Sequence, residues 1–357
     1  MPDDILGRMT AAAHEEIIFH RDADSGLEVI VAIHSTLLGP ALGGTRWQPY
    51  TNEAAALEDV LRLAEAMTAK SALAGLPFGG GKAVVIGDPD QKRPESLRAY
   101  ARFIDRLGGR FWTTTDVGTT TAEIDEMRRH TEYVVGTSAA QGGTGDTSEL
   151  TAVSVVAGMR AAMQSTFGTD SFAARRLVVL GTGKVGSRIA RLAAKEGAHV
   201  VVADVRQEVA AALAREIDGE TADAATAHAL DCDVLSPNGL GGVLNPASIP
   251  ELRCRVVCGA ANNQLANDPA DAALLASRGI LYAPDYVVNA GGALSFALMD
   301  RGLGDHQALL AETEVIGTMI GEILSEATRC NESPVVAAQR RVEEVLSGST
   351  AVPAGAD

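Results

Sequence analysis

The stretch RRLVVLGTGKVGSRIARLAAKEGAHVVVADV, residues 175–205, constrains the fold of this chain most strongly. An apolar run typical of a strand leads into a glycine-rich turn. An amphipathic helical pattern follows, and a second apolar run ends at Asp204. This order predicts a βαβ unit with two parallel strands. Further apolar runs at CDVLSP, RVVCGA and GILYAPDYVV, with helical sequence between them, predict a doubly wound parallel sheet.

The glycines of this unit have the spacing G-x-G-x-x-G at the start of a helix, which predicts a dinucleotide site. The first permits a tight turn, the second lets the backbone approach a pyrophosphate, and the third permits close helix–strand packing. Asp204 is placed to accept both ribose hydroxyls of NAD, whereas Arg206 close by would suit the 2′-phosphate of NADP. We predict that NAD is the cofactor and that these positions bind it: Gly181, Thr182, Gly183, Lys184, Val185, Gly186, Asp204, Val205 and Arg206.

The first part of the chain, about 140 residues, alternates between strand and helix patterns and predicts an α/β domain of its own. EEIIFH and LEVIVAIH read as a hairpin, and a helix starts at an N-cap on Thr51 or Asn52. Strands are predicted at AVVI, FWTTTD and YVVG. We therefore predict an α/β domain over 1–147, a doubly wound domain over 148–330, and a C-terminal helix with a disordered tail over 331–357.

Charge and composition disfavour several classes of protein. The formal net charge of −16 argues against nucleic acid or an anionic membrane as a partner. Apolar runs are shorter than the roughly 20 residues of a membrane span, and the opening MPDDILGRMTAAAHEE has no long apolar segment typical of a secretory signal. Cys232, Cys254, Cys258 and Cys330 show no CxxC spacing. We predict reduced thiols, no metal site and a cytoplasmic protein.

Three consecutive glycines precede Lys82 in LAGLPFGGGKAVVIGD, residues 73–88. A phosphate-binding P-loop is excluded, because Leu76 stands at its first glycine position and Ala83 replaces its hydroxyl residue. We interpret the glycines as a floor on which a substrate lies while Lys82 reaches it. A pairing of Lys82 with Asp116, which ends the strand FWTTTD, would account for both charges.

At this point the sequence resembles the Glu/Leu/Phe/Val amino-acid dehydrogenase family, most closely its leucine, valine and phenylalanine branch. The resemblance covers nearly the whole chain. It rests on these stretches: STLLGPALGGTR, MTAKSALAGLPFGGGKAVVIGDP, DVGTT, LGTGKVG, VVCGAANNQLA and GILYAPDYVVNAGG.

The resemblance implies NAD-dependent oxidative deamination of an L-amino acid. Lys82 would be the general base that activates water, and Asp116 would exchange protons with the amino group. Lys70 would bind the substrate carboxylate. The resemblance implies these substrate-binding positions: Leu42, Gly43, Gly44, Met67, Lys70, Thr114, Asn289, Ala293 and Phe296. It adds these cofactor-binding positions: Thr151, Asn238, Ala260, Asn262 and Asn289. It also implies a homo-oligomer, a substrate domain that comes first, and a cleft that closes between the domains.

Departures from the family pattern bear on the substrate. Ala69 replaces a tyrosine, and Asn238 with Gly239 replaces Cys-Ala. Thr114 stands where leucine-type enzymes have alanine, and Ala293 with Phe296 stands where they have two valines. A neutral L-amino acid with a branched aliphatic side chain is the first prediction, and an aromatic L-amino acid is the alternative.

Two other functions remain open. A non-catalytic NAD-binding homologue is one, although Lys70, Lys82 and Asp116 are all present. A 2-hydroxy-acid dehydrogenase is the other, and it would require a histidine–carboxylate pair near the nicotinamide. The seven histidines lie outside every motif above, and we read His34 as a strand residue rather than a proton carrier.

Overall fold

The computed structural model describes residues 4–300 and 306–349, and it divides into two compact units. Of the described residues, the first unit contains those up to Asp146, 296–300 and 342–349; the second contains Thr147–Ser295 and 306–341. Among the described residues no helix combines the length and hydropathy needed to cross a bilayer. Most of the tail predicted to be disordered, from residue 350 on, lies outside the described residues.

The first unit is a five-stranded mixed sheet covered by helices. Its elements are α1 (Ile5–Ala11), β1 (Glu16–Asp22), β2 (Leu27–Ser35), β3 (Ala41–Gln48), α2 (Glu53–Ala74), β4 (Gly79–Ile86), α3 (Pro94–Arg106), β5 (Phe111–Thr115) and α4 (Thr121–Met127). The strand order is β1-β2-β4-β3-β5. β2 runs antiparallel to β1 and β4, whereas β3 runs parallel to β4 and β5.

Alternation of side chains along β2 builds a core on each face of this sheet. Val29 and Val31 belong to a cluster that includes residues of α3 and α4, while Ile30 and Ala32 belong to a cluster with α2. The predicted N-cap of α2 is Asn52, whose side chain accepts a hydrogen bond from the Ala55 amide.

Four features of this unit differ from the prediction. β3 and α1 were not predicted, and β4 begins at Gly79 rather than at Ala83. Glycine has a low strand propensity, and here pairing on both sides of β3 and β4 overrides it. The strand predicted at YVVG is only an isolated bridge between Thr113 and Val134.

The remaining elements belong mainly to the second unit. They are α5 (Ser148–Phe167), β6 (Arg176–Leu180), α6 (Lys184–Lys195), β7 (His199–Ala203), α7 (Gln207–Glu216), β8 (Glu220–Thr221), β9 (Val234–Pro237), β10 (Val256–Val257), α8 (Ala270–Ser277), β11 (Leu281–Tyr282), α9 (Asp285–Val288), α10 (Gly291–Asp300), α11 (His306–Thr313), α12 (Val315–Cys330) and α13 (Pro334–Ser349).

The second sheet has the order β11-β10-β9-β6-β7-β8 with every pairing parallel. The predicted doubly wound sheet is therefore confirmed. The strand order reverses between β6 and β9, because the chain runs outward from β6 through β7 to β8 and then returns to β9 on the other side. Ligands of such sheets bind at the carboxyl ends of the strands beside that switch.

Candidate active site and dinucleotide site

Lys82 and Asp116 meet beside the carboxyl end of β5. Lys82 lies in β4 and is buried, and Asp116 directly follows β5. The Lys82 ammonium donates a hydrogen bond to Asp116 Oδ2. The Val117 amide donates to Asp116 Oδ1 at 2.6 Å, and the Asp116 amide donates to Thr119 Oγ1 at 2.8 Å. The carboxylate is therefore held by its own turn as well as by the lysine.

The two groups perturb each other's proton affinity. Burial lowers the pKa of Lys82, and the Asp116 carboxylate only partly opposes this. Burial alone would raise the pKa of Asp116, but the charges of Lys82 and Arg46, together with hydrogen bonds from Lys82 and the Val117 amide, outweigh it and lower the pKa to about 2. The carboxylate thus stays ionised near neutral pH, while the lysine loses its proton more readily than an exposed lysine does.

Sequence reasoning missed a second cation beside this pair. Arg46, in β3, places its Nε 3.7 Å from Asp116 Oδ2. Its NH1 nitrogen donates to both oxygens of Asp59 at 3.0 Å, and the Tyr50 hydroxyl donates to Asp59 Oδ2 at 2.6 Å. Arg46 is the last residue of the stretch LGGTR. The sequence analysis assigned only the glycines of this stretch to the site, although a charged residue directly after them was a signal that could have been used.

The glycines around this site are explained by packing within the unit. A methyl group on Gly79 would overlap the Ser35 carbonyl, and one on Gly80 would overlap the backbone nitrogen and hydroxyl of Thr68 in α2. A methyl on Gly81 would lie 2.9 Å from the Phe111 ring. Protein atoms, rather than open space for a substrate, fill the positions that these side chains would occupy.

The two glycines of β3 follow the same rule. A methyl on Gly43 would overlap the carbonyl of Gly81, and one on Gly44 would lie 2.9 Å from Asp116 Cβ. Close approach of β3 to its neighbours therefore positions Asp116 next to β3.

The other predicted substrate residues are distributed between α2, the first sheet and α10. Leu42 is fully buried in β3, Lys70 is buried near the end of α2, and Met67 is half-buried one turn earlier. Thr114 is buried, and its hydroxyl has no hydrogen-bond partner. Ala293 is half-buried on α10.

Thr114 and Phe296 converge on Gly136. A methyl group on Gly136 would lie 2.6 Å from Thr114 Oγ1 and 3.3 Å from Phe296 Cε1. The structure thus brings together two of the side chains that the sequence had singled out for substrate selection.

His34 makes two hydrogen bonds that fix its tautomer. Its Nε2 lies 2.9 Å from the Ala12 carbonyl and must donate, so in the neutral ring Nδ1 accepts from the Thr68 hydroxyl at 2.8 Å. The ring of His14 packs edge-on against it. Burial and the His14 charge lower the pKa of His34 to about 4.

In the second unit, the glycine-rich turn has the geometry that its spacing predicts. Gly181 has a φ of +89°, and a methyl on Gly186 would overlap the Gly181 carbonyl. Gly183 is the N-cap of α6 and faces open space. Its backbone is therefore accessible to a ligand, and the amides of the first turn of α6 point the same way. Lys184 is exposed and Val185 is half-buried.

Asp204 follows β7 and has both carboxylate oxygens occupied. Oδ2 accepts from the Thr182 amide at 2.7 Å and hydroxyl at 2.9 Å, and Oδ1 accepts from the Arg206 amide at 3.0 Å. Burial would raise the pKa of Asp204, but these hydrogen bonds lower it. The Arg206 Nε lies 3.5 Å from Oδ1, and its side chain is 61% exposed. Val205 is exposed.

Predicted residues that follow β9, β10 and α9 form one hydrogen-bonded group. Asn238 donates to the Ser236 carbonyl at 2.8 Å and accepts from the Ala260 amide at 2.9 Å. Asn289 donates to the Ala260 carbonyl at 3.1 Å and to Asn262 Oδ1 at 2.7 Å. The Asn289 oxygen is buried without a hydrogen-bond partner. An unpaired acceptor at the carboxyl ends of these strands fits a ligand that carries an amide donor, such as nicotinamide.

Thr151 lies outside that group. Its hydroxyl donates to the Thr147 carbonyl at 3.2 Å within the first turn of α5. A methyl on Gly292 would lie 2.7 Å from this hydroxyl, so α10 begins against the start of α5.

Comparison with known proteins gives one family-model match for each of the two units. Residues 14–133 match the family model "Glu/Leu/Phe/Val dehydrogenase, dimerisation domain", and residues 202–329 match "Glutamate/Leucine/Phenylalanine/Valine dehydrogenase". The chain is 43% identical to the valine dehydrogenase of Streptomyces albus, with 98% of each chain covered. It is 42% identical to the leucine dehydrogenase of Geobacillus stearothermophilus, covering 93% of this chain and 90% of the relative. The crystal structure of L-tryptophan dehydrogenase from Nostoc punctiforme matches with a TM-score of 0.80 at 34% identity, covering 98% of this chain and 100% of that one.

Proposed function

Since the chain belongs to the Glu/Leu/Phe/Val dehydrogenase family, we propose that it catalyses NAD-dependent oxidative deamination of a neutral L-amino acid, with valine, leucine and isoleucine preferred. As a member of that family it is an amino-acid dehydrogenase, an oxidoreductase acting on CH–NH2 donors. The products are the 2-oxo acid, ammonium and NADH, and reductive amination is the reverse reaction.

The observation that carries this proposal is the contact between the buried Lys82 and the largely buried side chain of Asp116. Unprotonated Lys82 accepts a proton from the water that attacks the substrate imine. Asp116, which stays ionised, exchanges protons with the amino group and holds the ammonium that leaves. The reaction requires a neutral amine at Lys82 and an ionised carboxylate at Asp116. A lowered pKa favours the required state of each group.

Substrate recognition is assigned to the residues around that pair. Lys70 binds the substrate carboxylate with the backbone at Gly43 and Gly44. Side-chain selection is assigned to the apolar and small residues Leu42, Met67, Thr114, Ala293 and Phe296, while Asn289 contacts ammonium or cofactor. The shared neighbourhood of Thr114 and Phe296 at Gly136 supports their assignment.

For the cofactor, the glycine-rich turn would hold the pyrophosphate and Asp204 the adenosine ribose. Asn262, Asn289 and Thr151 would hold the nicotinamide end. When bound, NAD⁺ supplies the acceptor for the hydride of the substrate Cα. The ionised Asp204 supports NAD over NADP, because a carboxylate repels a 2′-phosphate.

An aromatic L-amino acid is the second candidate. The 34% identity to a tryptophan dehydrogenase favours it, as does the aromatic ring of Phe296, which could stack on the substrate. Pocket differences of this size change binding by about 1–3 kcal/mol, enough to exchange one preferred side chain for another.

The deciding experiment is NADH formation at 340 nm across a panel of L-amino acids, with NAD⁺ and then NADP⁺. Activity mainly with valine, leucine or isoleucine supports the first candidate, and activity mainly with phenylalanine or tryptophan supports the second. Consumption of NADH with a 2-oxo acid in the absence of ammonium would contradict both. NADH binding without turnover of any amino acid would indicate a non-catalytic homologue.

Three further properties belong to the proposal. The first domain, 1–147, binds substrate and mediates assembly; 148–330 binds NAD; 331–357 forms a C-terminal helix and tail. The protein is a cytoplasmic homo-oligomer, which agrees with its four free cysteines. Light scattering on the purified full chain measures the assembly size.

A further inference from the structure

We propose that Arg46 is a positioning residue for the proton transfer. Its positive charge acts on Asp116, which Lys82 also contacts, and Asp59 limits the effect of that charge. This inference rests on the proposed function, in which Lys82 is the base. It assigns a role to two side chains, Arg46 and Asp59, that the proposed function leaves unused.

The geometry is a chain of four alternating charges. Asp59, on α2, accepts two hydrogen bonds from Arg46. The Arg46 Nε makes no hydrogen bond, is buried, and lies 3.7 Å from the same Asp116 oxygen that accepts from Lys82. Asp116 Oδ2 therefore faces two cations at once.

Only one of those cations can release its proton. A guanidinium remains charged under all ordinary conditions, and burial of Arg46 is outweighed by Asp116 and Asp59, which raise its pKa further. A lysine ammonium has a lower pKa than a guanidinium, so Lys82 is the cation that can release its proton. When Lys82 becomes neutral, Arg46 still balances Asp116, so no buried carboxylate is left uncompensated.

Asp59 acts on the same proton with the opposite sign. Three charged groups act most strongly on Lys82: Asp116 and Asp59 favour its protonated form, and Arg46 opposes it. Loss of the Arg46 charge should make Lys82 harder to deprotonate, whereas loss of the Asp59 charge should make it easier. A purely structural role for these residues predicts no such opposition.

The chain allows this to be measured without any enzyme assay, since it contains only five lysines: Lys70, Lys82, Lys92, Lys184 and Lys195. NMR of the full-length protein with 13C at the lysine Cε follows the ionisation of each. The Lys82 signal is assigned by its loss in Lys82→Arg. The variants are R46Q and D59N, and the control is R21Q, which removes an exposed arginine of the same unit that pairs with Glu28.

We expect the Lys82 midpoint to rise by about one pH unit in R46Q, to fall by about half a unit in D59N, and to stay unchanged in R21Q. The lower-pH limb of the kcat/KM profile should move with it in each variant. If R46Q does not fold, D59N decides alone, and a fall supports the inference. Midpoints in both variants within about 0.2 units of the wild type, or a rise in D59N, would overturn it.

The outcome separates this inference from the proposed function. Opposite shifts of Lys82 in a protein that oxidises no amino acid would refute the function and leave the charge arrangement standing. Normal dehydrogenase activity with an unmoved Lys82 midpoint would refute the inference alone.

Discussion

Replacing Gly80 by alanine tests whether the glycines before Lys82 are required by packing. The added methyl would overlap the nitrogen and hydroxyl of Thr68 and lie 2.5 Å from its Cα. Helix backbone cannot move aside as a side-chain tip can, so a cost at the upper end of overpacking, about 3 kcal/mol, is expected. Weakening of the hydrogen bond between Thr68 and His34 adds about 1 kcal/mol.

The assay is urea unfolding followed by tryptophan fluorescence. Both tryptophans, Trp47 and Trp112, lie in the first unit, so the signal reports that unit. The matched control is Gly75→Ala at the end of α2. Nothing lies within 4 Å of that methyl, but the φ of +63° costs about 1 kcal/mol.

We therefore expect Gly80→Ala to lower the free energy of unfolding by about 3–4 kcal/mol, and Gly75→Ala by about 1 kcal/mol. A loss in Gly80→Ala below that of Gly75→Ala would refute the packing argument. It would return the glycines to the role first read from the sequence, a surface for substrate.

Three more outcomes are expected. Lys82→Met should lower kcat by about 10³-fold while NADH affinity, read from fluorescence quenching, changes less than about threefold; a matching loss of affinity would contradict the role of Lys82 as base. Asp204→Ser should weaken NAD⁺ binding and raise the ratio of NADP⁺ to NAD⁺ affinity at least about tenfold, since Arg206 would remain beside the ribose; calorimetry giving an unchanged ratio would remove Asp204 from the ribose site. For His34, the pKa is about 4 when folded and about 6.5 when unfolded, so the unfolded state binds the proton first as pH falls. Stability should drop by about 2 kcal/mol between pH 7 and pH 5 in urea titrations, and His34→Gln should lose less than half of that; equal losses would show that other groups dominate.

The second sheet was predictable because its signals are local. The glycine turn, the helix after it and Asp204 all lie within one βαβ unit, where spacing alone carries the geometry. The short strands β10 and β11 were also found, since apolar runs mark them in the sequence. The run predicted for β11, GILYAPDYVV, is too long, because its second half forms the helix α9 (Asp285–Val288).

What could not be predicted depends on distant partners. β3 contains two adjacent glycines and becomes a strand because β4 and β5 pair with it from later in the chain. The role of Arg46 depends on Asp59, in a different element, and on Asp116 beyond β5. The sequence indicated that Lys82 pairs with a carboxylate. Only the fold shows that a second cation, Arg46, lies beside the same carboxylate, that of Asp116.

The strand order of the first unit has a consequence for synthesis on the ribosome. β3 is complete at Gln48, yet its two neighbours end at Ile86 and Thr115. At a translation rate of about 5–20 residues per second, roughly 3–13 s pass between the synthesis of β3 and that of the second strand that pairs with it. Unpaired strand edges are templates for association between chains. The yield of folded protein in the cell therefore depends on how β3 is shielded during translation, a property that the stability of the finished unit does not report.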